Sequence, residues 1–136
     1  MAFVHGKDSV FKLDNASGSL TDISAFINNV DFPETADVAE TTVLGKDNKT
    51  YIVGLKDATI SIGGLFDSTL DAILGVVLGQ SATLSFEYSP EGTGSGAIKY
   101  TGECILTNYA ISSPVGDVVA YSADLQVSDA VTRGTH

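Results

Sequence analysis

The sequence predicts a mainly β fold, an antiparallel β-sandwich or barrel with one flanking α-helix, in a single domain over residues 1–136. Three observations support this prediction. Fourteen glycines, no tryptophan and several Thr/Ser-rich runs are typical of many short strands joined by turns. Several runs alternate apolar and polar residues with a period of two, as half-buried strands do. One segment alone repeats its apolar residues with the period of an α-helix.

The N-terminal quarter of the chain predicts a strand and then a less regular segment. Phe11 and Leu13 share one face of the run "SVFKLDN", which indicates a strand that ends at the turn "NASGS". The run "LTDISAFINNVDFPE" is expected to begin with a short helical turn and then to extend toward Pro33. Thr21 or Asp22 is expected to cap that turn.

Residues 39–50 form a polar stretch that interrupts this economical pattern. The stretch carries the turn formers Gly45, Asp47 and Asn48. A connection between two strands normally needs about two to five residues. We therefore expect the stretch to serve as an arm that contacts another copy of the chain. Its candidate contact residues are Glu40, Thr41, Thr42, Lys46, Asp47, Asn48 and Lys49.

Strands are predicted on both sides of a single helix. The runs "TYIVGL" and "ATISIGGLF" precede it, and "ATLSFEYSP", "AIKYTGECILTNYAI" and "VVAYSADLQVS" follow it. In the last of these runs every second residue is apolar, which predicts a half-buried strand. The tail "DAVTRGTH" is expected to be extended and exposed, with both histidines, His5 and His136, in mobile ends of the chain.

The helix is predicted over residues 67–79. Asp67 or Ser68 can cap its first turn, and Gly79 can end it. Gly75 lies inside the helix, which suggests that another backbone passes close to it. The apolar residues recur at i, i+3, i+4 and i+7 and predict the face that packs on the sheet. This face consists of Leu70, Ile73, Leu74 and Val77.

The sequence contains no recognisable catalytic, metal or cofactor motif. The two histidines lie at opposite ends of the chain, with no nucleophile placed beside either one. There is no Cys/His spacing for zinc, no P-loop and no calcium-loop spacing. Cys104, the one cysteine, lies in a strand-like run and is interpreted as a buried, inert thiol. We expect no enzyme activity and no cofactor.

Charge and hydropathy exclude two further classes of function. Acidic residues outnumber basic residues 17 to 7, and the formal net charge is −10. Such a surface repels phosphate backbones and argues against a basic nucleic-acid-binding protein. The longest apolar-rich run, residues 72–86, is too short and too interrupted for a membrane span. The N-terminus lacks the pattern of a secretory signal peptide.

Several of these stretches together resemble the major tail proteins, or tail tube proteins, of long-tailed bacteriophages. The resemblance extends from about residue 20 to residue 135. It rests on "ETT", the polar turn "GKDNKT", the run "YIVGLKDATISIGGLFD", the helix that follows, and a final strand ending in "VSDAVTRGT". The chain lacks the extra immunoglobulin-like domain that some members carry, so the resemblance implies a minimal tube subunit.

The resemblance implies a structural virion protein. Six copies would form a ring, and rings would stack into a tail tube that conducts the genome and meets other tail proteins at its ends. The protein would be assembled in the host bacterial cytoplasm and would reside in the virion tail. DNA would pass through the lumen without specific binding. Acidic residues that line the lumen would repel the DNA phosphates, or, alternatively, the net charge would only keep the free subunit soluble. Candidate lumen acids are Asp31, Glu87 and Glu103.

Two other classes of function are open at this point. One is a monomeric β-sandwich that binds a carbohydrate or a host surface, and such a site usually displays exposed aromatic rings. Most aromatic residues here fall on faces that suit a core instead. The other is a head–tail connector or capsid accessory protein.

Overall fold

The computed structural model describes residues 3–136. Within these residues, eight antiparallel strands and one α-helix follow one another. They are β1 (Val10–Asp14), β2 (Leu20–Asp22), β3 (Asn29–Asp31), β4 (Glu34–Glu40), β5 (Tyr51–Leu65), α1 (Ser68–Val77), β6 (Leu84–Ser89), β7 (Ile98–Ser112) and β8 (Ala120–Thr135). The mainly β class with one helix is confirmed.

The strands form one hydrogen-bonded sheet with the order β2-β1-β6-β7-β8-β5-β3, and β4 pairs with β5. The segment after the edge strand β3 reaches over the core to β6. Phe32, just after the edge strand β3, makes edge-on ring contacts with Phe86 and Tyr88 of β6, although three strands separate β3 from β6 in the sheet. The sheet is therefore curled around its apolar face, which gives the fold its barrel-like shape.

The core is one cluster of side chains from the inward-facing positions of the strands and from the helix. Phe11 and Leu13 of β1 are buried as the alternation predicts. Every second residue of β8 from Tyr121 to Val127 is also buried. Period-two patterning thus determined which face of these strands packs inward, since successive side chains in a strand point to opposite faces.

The helix has the predicted cap and the predicted buried face. Asp67 Oδ1 accepts a hydrogen bond from the Thr69 backbone N–H at 2.7 Å, and Gly79 adopts the left-handed conformation just beyond the C-terminal end (φ 78°). The helix itself is shorter than predicted and ends at Val77. Its buried residues are Leu70, Ile73, Leu74 and Val77.

The expectation of a close backbone at Gly75 is wrong. Gly75 is exposed, and a Cβ there would first meet the carboxylate of Asp71, one turn earlier in the same helix, at 3.0 Å. The close approach occurs at Gly64 of β5 instead. A Cβ on Gly64 would lie 2.0 Å from the Phe26 carbonyl oxygen.

The segment before β3 also differs from the prediction. Thr21 lies in β2, paired with Leu13, and the helical turn is a 3-10 turn at Ser24–Phe26. Asp22 Oδ1 accepts from the Ser24 N–H at 2.9 Å. The turn comes later because β2 first extends the sheet edge beside β1.

The C-terminal tail was expected to be mobile, but the structure places it in the sheet. It continues β8 and pairs with β7 as far as Thr135, opposite Ile98. His136 donates its backbone N–H to the Ala97 carbonyl oxygen at 2.9 Å. Its Nε2 lies 2.9 Å from the hydroxyl of Ser89, a fully buried residue. The imidazole therefore supplies a hydrogen-bond partner inside the fold.

Candidate assembly surfaces

The polar stretch over residues 39–50 is the end of a long hairpin. β4 pairs with the first half of β5, from Glu34 opposite Ala58 to Glu40 opposite Tyr51, with a register shift between Ala36 and Val38. All of β4 and the first seven residues of β5 are exposed. We call residues 34–57 the arm and residues 41–50 its tip. The arm is much longer than the sequence interpretation indicated.

The arm exposes apolar side chains along its strands. Val53 is 72 % exposed and Leu55 is 80 % exposed, and Val38, Tyr51 and Ile52 are also largely open to solvent. A two-stranded hairpin is at best marginally stable in water, and exposed apolar patches mark interaction surfaces. The sequence signal for this surface was the run "YIVGL", in which apolar residues do not alternate with polar ones. Such runs are typical of strands that are covered on both faces.

The tip is closed by threonine hydrogen bonds. The Thr41 N–H donates to the Thr50 carbonyl at 2.7 Å, and the Thr50 N–H donates to Thr42 Oγ1 at 3.0 Å. Lys49 lies 3.9 Å from Glu40. The seven predicted contact residues are all exposed and come together at or beside the tip. Sequence reasoning missed their apolar neighbours Val43 and Leu44, which are also exposed.

A row of polar side chains crosses the outer face of the sheet. Asp31 of β3 pairs with Ser61 of β5, and Ser61 pairs in turn with Asp124 of β8. On the other side of β8, Asp124 pairs with Asn108 of β7. The Ser61 hydroxyl donates to Asp124 Oδ1 at 2.9 Å, and the Asn108 amide donates to Asp124 Oδ2 at 3.2 Å. Asp31 accepts from Asn29 at 3.2 Å. Asp31 and Asp124 are both exposed, so this row presents negative charge to solvent.

The other two predicted lumen acids lie farther along the same sheet. Glu87 is only 9 % exposed and lies between Lys12 and Lys99, at 3.6 and 3.9 Å. Two lysines from neighbouring strands thus pair with this carboxylate and cover it, so it presents little charge to solvent, and its place in the lumen stays a prediction. Glu103 is half-buried and accepts hydrogen bonds from the hydroxyls of Thr83 and Ser85, at 2.9 and 2.5 Å.

A cleft of about 620 Å³ separates the base of the arm from β8. Beside it, three residues of β8 (129–131) lie opposite the single residue Gly102 of β7, and Asp129 adopts a positive φ of 73°. Such a bulge bends its strand. β5 and β8 pair as far as Thr59 opposite Gln126 and no farther. Among residues 3–136, no strand pairs with the remainder of β8 on this side, and such an edge can accept a strand from another chain.

Cys104, the one cysteine of the sequence, lies inside the fold. Burial raises the pKa of the Cys104 thiol to about 12, assisted by the nearby carboxylates of Glu103 and Asp14. Cys104 is thus the buried, unreactive thiol that the sequence suggested. Among residues 3–136, no group of three or more His, Cys, Asp or Glu side chains is placed to hold a metal ion. No helix in the same range is long and apolar enough to cross a membrane.

Comparison with known proteins gives one family and a consistent set of structures. A family model described as phage tail tube protein matches residues 3–133. No curated protein matches the sequence. The fold is similar to a chain in the virion of a native gene transfer agent particle, at 18 % identity and a TM-score of 0.81, covering 98 % of this chain and 100 % of that one.

Two further structures show the same fold at lower identity. The SPP1 tail tube aligns at 13 % identity with a TM-score of 0.78, over 98 % of this chain and 80 % of that one. The sheath–tube complex of an extracellular contractile injection system aligns at 15 % identity with a TM-score of 0.70, over 98 % and 93 %.

Proposed function

This chain belongs to the phage tail tube protein family, and we propose that six copies form a ring and that rings stack into the tail tube through which DNA leaves the virion. The observation that carries this proposal is the arm, whose strand residues are all exposed and include apolar side chains, although Gln126 Nε2 holds its base by a 2.9 Å hydrogen bond to Asp57 Oδ1. A partner must cover such a surface. The ring number follows the tail of the gene transfer agent particle, whose structure has C6 symmetry.

Ring closure is supported by the unpaired edges of the sheet. In the described part of the chain, β8 beyond Gln126 and the side of β4 that faces away from β5 both offer unpaired backbone groups. A strand edge that pairs with the next copy loses its aggregation hazard and gains a hydrogen-bonded ladder. A head-to-tail contact of this kind closes into a ring when the rotation from one copy to the next is a whole-number fraction of a full turn.

The lumen is assigned to the face that carries Asp31 and Asp124. Small and polar side chains surround these two acids, including Ser61 and Asn108. Negative charge on this face would repel DNA phosphates and let the duplex slide. Glu103 can add to this field from β7, whereas Glu87 is neutralised by its two lysines.

The role is structural and not enzymatic, in a component of the virion tail assembled in the host bacterial cytoplasm. Other tail proteins would contact the terminal rings, since similar folds occur in a baseplate and in a tube-terminating cap of the anti-feeding prophage. The family match favours this role over the surface-binding module and the capsid accessory protein.

The arm is tested by shortening its tip. Because Glu40 pairs with Tyr51 and the Thr41 N–H bonds to Thr50, the cut that preserves the hairpin replaces residues 42–49 with a short Gly-Ser turn. We expect a folded chain with a melting temperature within a few degrees of the parent, because loop length changes closure entropy only slightly. Tubes should be absent in sedimentation and electron microscopy.

Thr93→Asp, in the exposed connection between β6 and β7, is the control and should assemble normally. Normal tubes from the shortened chain would contradict the role of the arm. A shortened chain that fails to fold would instead make the tip part of the folding core.

A further inference from the structure

A cleft of about 380 Å³ lies between the edge strand β3 and the N-terminal end of β1. We call it the seam cleft, and its lining includes Ser9, Phe11, Ser24, Ile27, Val30 and Tyr88. We propose that the seam cleft receives residues 3–5 of a second copy, with Phe3 and Val4 placed against its apolar wall. This inference rests on the proposed function and adds a contact between copies of the chain.

The seam cleft combines an apolar wall with an open strand edge. Phe11 is buried, and its ring centre lies 6.3 Å from that of Tyr88. Ile27 and Val30 pack against the same core and are only half-buried. β3 is the last strand in the sheet order, and among residues 3–136 no strand pairs with its other side. An extended segment placed here would gain backbone hydrogen bonds and would cover apolar surface.

The edge of β1 that borders the seam cleft already has its hydrogen-bond partners. The Ser24 hydroxyl accepts from the Phe11 N–H at 2.9 Å. The Phe11 carbonyl accepts from the Ile23 N–H at 3.1 Å. An incoming segment therefore pairs with the edge of β3, while the rings beside β1 provide the apolar contact.

Residues 3–5 carry apolar side chains that their own chain leaves uncovered. Phe3 is 91 % exposed and Val4 is 54 % exposed. Phe and Val both suit an extended strand. Aromatic rings pack favourably edge to face, so the Phe3 ring suits a cleft that already contains two rings. Gly6 and Lys7 line the seam cleft of their own chain, yet the two apolar residues before them lie outside it.

The turn after residues 3–5 directs them away from the cleft of their own chain. The Lys7 N–H donates to His5 Nδ1 at 3.1 Å, and the Asp8 N–H donates to the His5 carbonyl at 3.0 Å. The Ser9 hydroxyl anchors the turn by donating to the Pro90 carbonyl at 2.9 Å. Insertion into the same chain would have to break the bonds of this turn. Insertion into a second copy leaves them intact, which favours the second copy as the partner.

A single tryptophan can report on residues 3–5, because the chain contains none. Phe3→Trp keeps a large aromatic side chain at the inserted position. Its emission should be that of a solvent-exposed indole in the free subunit and should shift to shorter wavelength as tubes form. Ala16→Trp, in the exposed turn between β1 and β2, is the control and should keep its emission. An unchanged emission of Phe3→Trp in tubes overturns the inference.

A cross-link tests both the cleft and the copy. Val4→Cys combined with Asn28→Cys places one thiol in the inserted segment and one in the lining of the seam cleft. Cys104 is buried and should not react in the native protein. Oxidation of assembled tubes with diamide, followed by alkylation, should give covalent multimers on non-reducing denaturing gels. Val4→Cys combined with Ala16→Cys is the matched control and should remain monomeric on the gels.

Removal of the apolar side chains tests their contribution to assembly. Phe3→Ser combined with Val4→Ser should leave the melting temperature within a few degrees of the parent, because both positions are exposed. The concentration needed for tube assembly should rise at least roughly tenfold, because the buried apolar contact between copies is lost. Phe3→Leu retains an apolar side chain and should assemble at nearly the parent concentration.

The outcomes separate this inference from the proposed function. Disulfides formed within single chains would assign the seam cleft to residues 3–5 of the same chain, and absence of the disulfide would leave the cleft without this occupant. Either result overturns the inference, as does normal assembly of the double serine variant, and tubes formed in these experiments leave the proposed function standing. A parent chain that forms neither rings nor tubes overturns the proposed function and the inference with it.

Discussion

Gly64 is the residue at which β5 comes closest to the segment that covers the core. A Cβ at this position would lie 2.0 Å from the carbonyl oxygen of Phe26, which also accepts a hydrogen bond from the Tyr121 hydroxyl at 2.9 Å. Gly64→Ala must displace that backbone, so we expect a loss of about 1–3 kcal/mol in the free energy of unfolding. Urea denaturation measures it, and Gly134→Ala, with no atom within 4 Å of its Cβ, should change stability far less.

Three protonated groups inside the fold predict loss of stability in alkali. Burial raises the pKa of Tyr109 and of Tyr121 to about 12 from 10.0, with the Asp71 hydrogen bond assisting at Tyr109. Burial likewise raises the pKa of the Cys104 thiol to about 12 from 9.0. The pKa of each group is higher in the folded than in the unfolded chain. The contribution of these groups to the free energy of unfolding is therefore complete below pH 9 and is lost progressively from pH 9 to pH 12.

Unfolding free energies measured between pH 8 and pH 11 should therefore decrease. Cys104→Ala should make this decrease shallower, whatever its effect at pH 8. A thiol reagent should react with Cys104 only after unfolding, and rapid reaction of the native protein would contradict the burial of the thiol.

At the scale of the element, the helix shows how a sequence pattern becomes stability. Leu74 is fully buried, whereas Val76, two residues later, is 58 % exposed. Leu74→Ala removes buried methyl groups and leaves a cavity, so we expect a cost of about 2–5 kcal/mol. Val76→Ala is the matched control and should change stability by less than about 0.5 kcal/mol. Equal effects at the two positions would mean that the helix does not pack as described.

The arm is the part of the β4–β5 hairpin whose strand residues are all exposed. The second half of β5 has every second residue buried from Ala58 to Gly64, while its first half has none. One strand thus belongs to two environments, the core of its own subunit and, by the proposal, the surface of another. This division explains why the run "YIVGL" lacks the alternation seen in "ATISIGG".

At the scale of the whole molecule, the proposed lumen predicts how tubes treat DNA. Parent tubes should not retain a short labelled duplex, because acidic residues on the Asp31 face repel phosphates. Asp31→Lys places a cation at an exposed position on that face in every copy, and such tubes should retain the duplex, less so as salt is raised. Fluorescence anisotropy of the labelled duplex with purified tubes measures this retention.

The control for DNA retention is Asp8→Lys, an exposed position in the 3-10 turn before β1. It makes the same change in net charge outside the row formed by Asp31, Ser61, Asp124 and Asn108. Equal retention by both variants would show that net charge, and not the lumen face, governs the interaction with DNA.

The sequence by itself determined the features that depend on neighbouring residues. The period of two placed Phe11 and Leu13 in the core, and the period of 3.6 placed Leu74 there. These periods follow from backbone geometry within one element, so they are visible without the fold. The resemblance to tail tube proteins, read from the same residues, agrees with the family match.

Only the tertiary structure decided which distant residues meet. Lys12 and Lys99 enclose Glu87 from two other strands, and Phe26 makes Gly64 necessary, although nothing near Glu87 or Gly64 in the sequence indicates either contact. Sheet register likewise aligned Asp31, Ser61 and Asp124 in one row and brought Phe66 beside Val119. Pairing between strands far apart in the chain depends on how the whole sheet curls around its core, and local patterns carry no information about that.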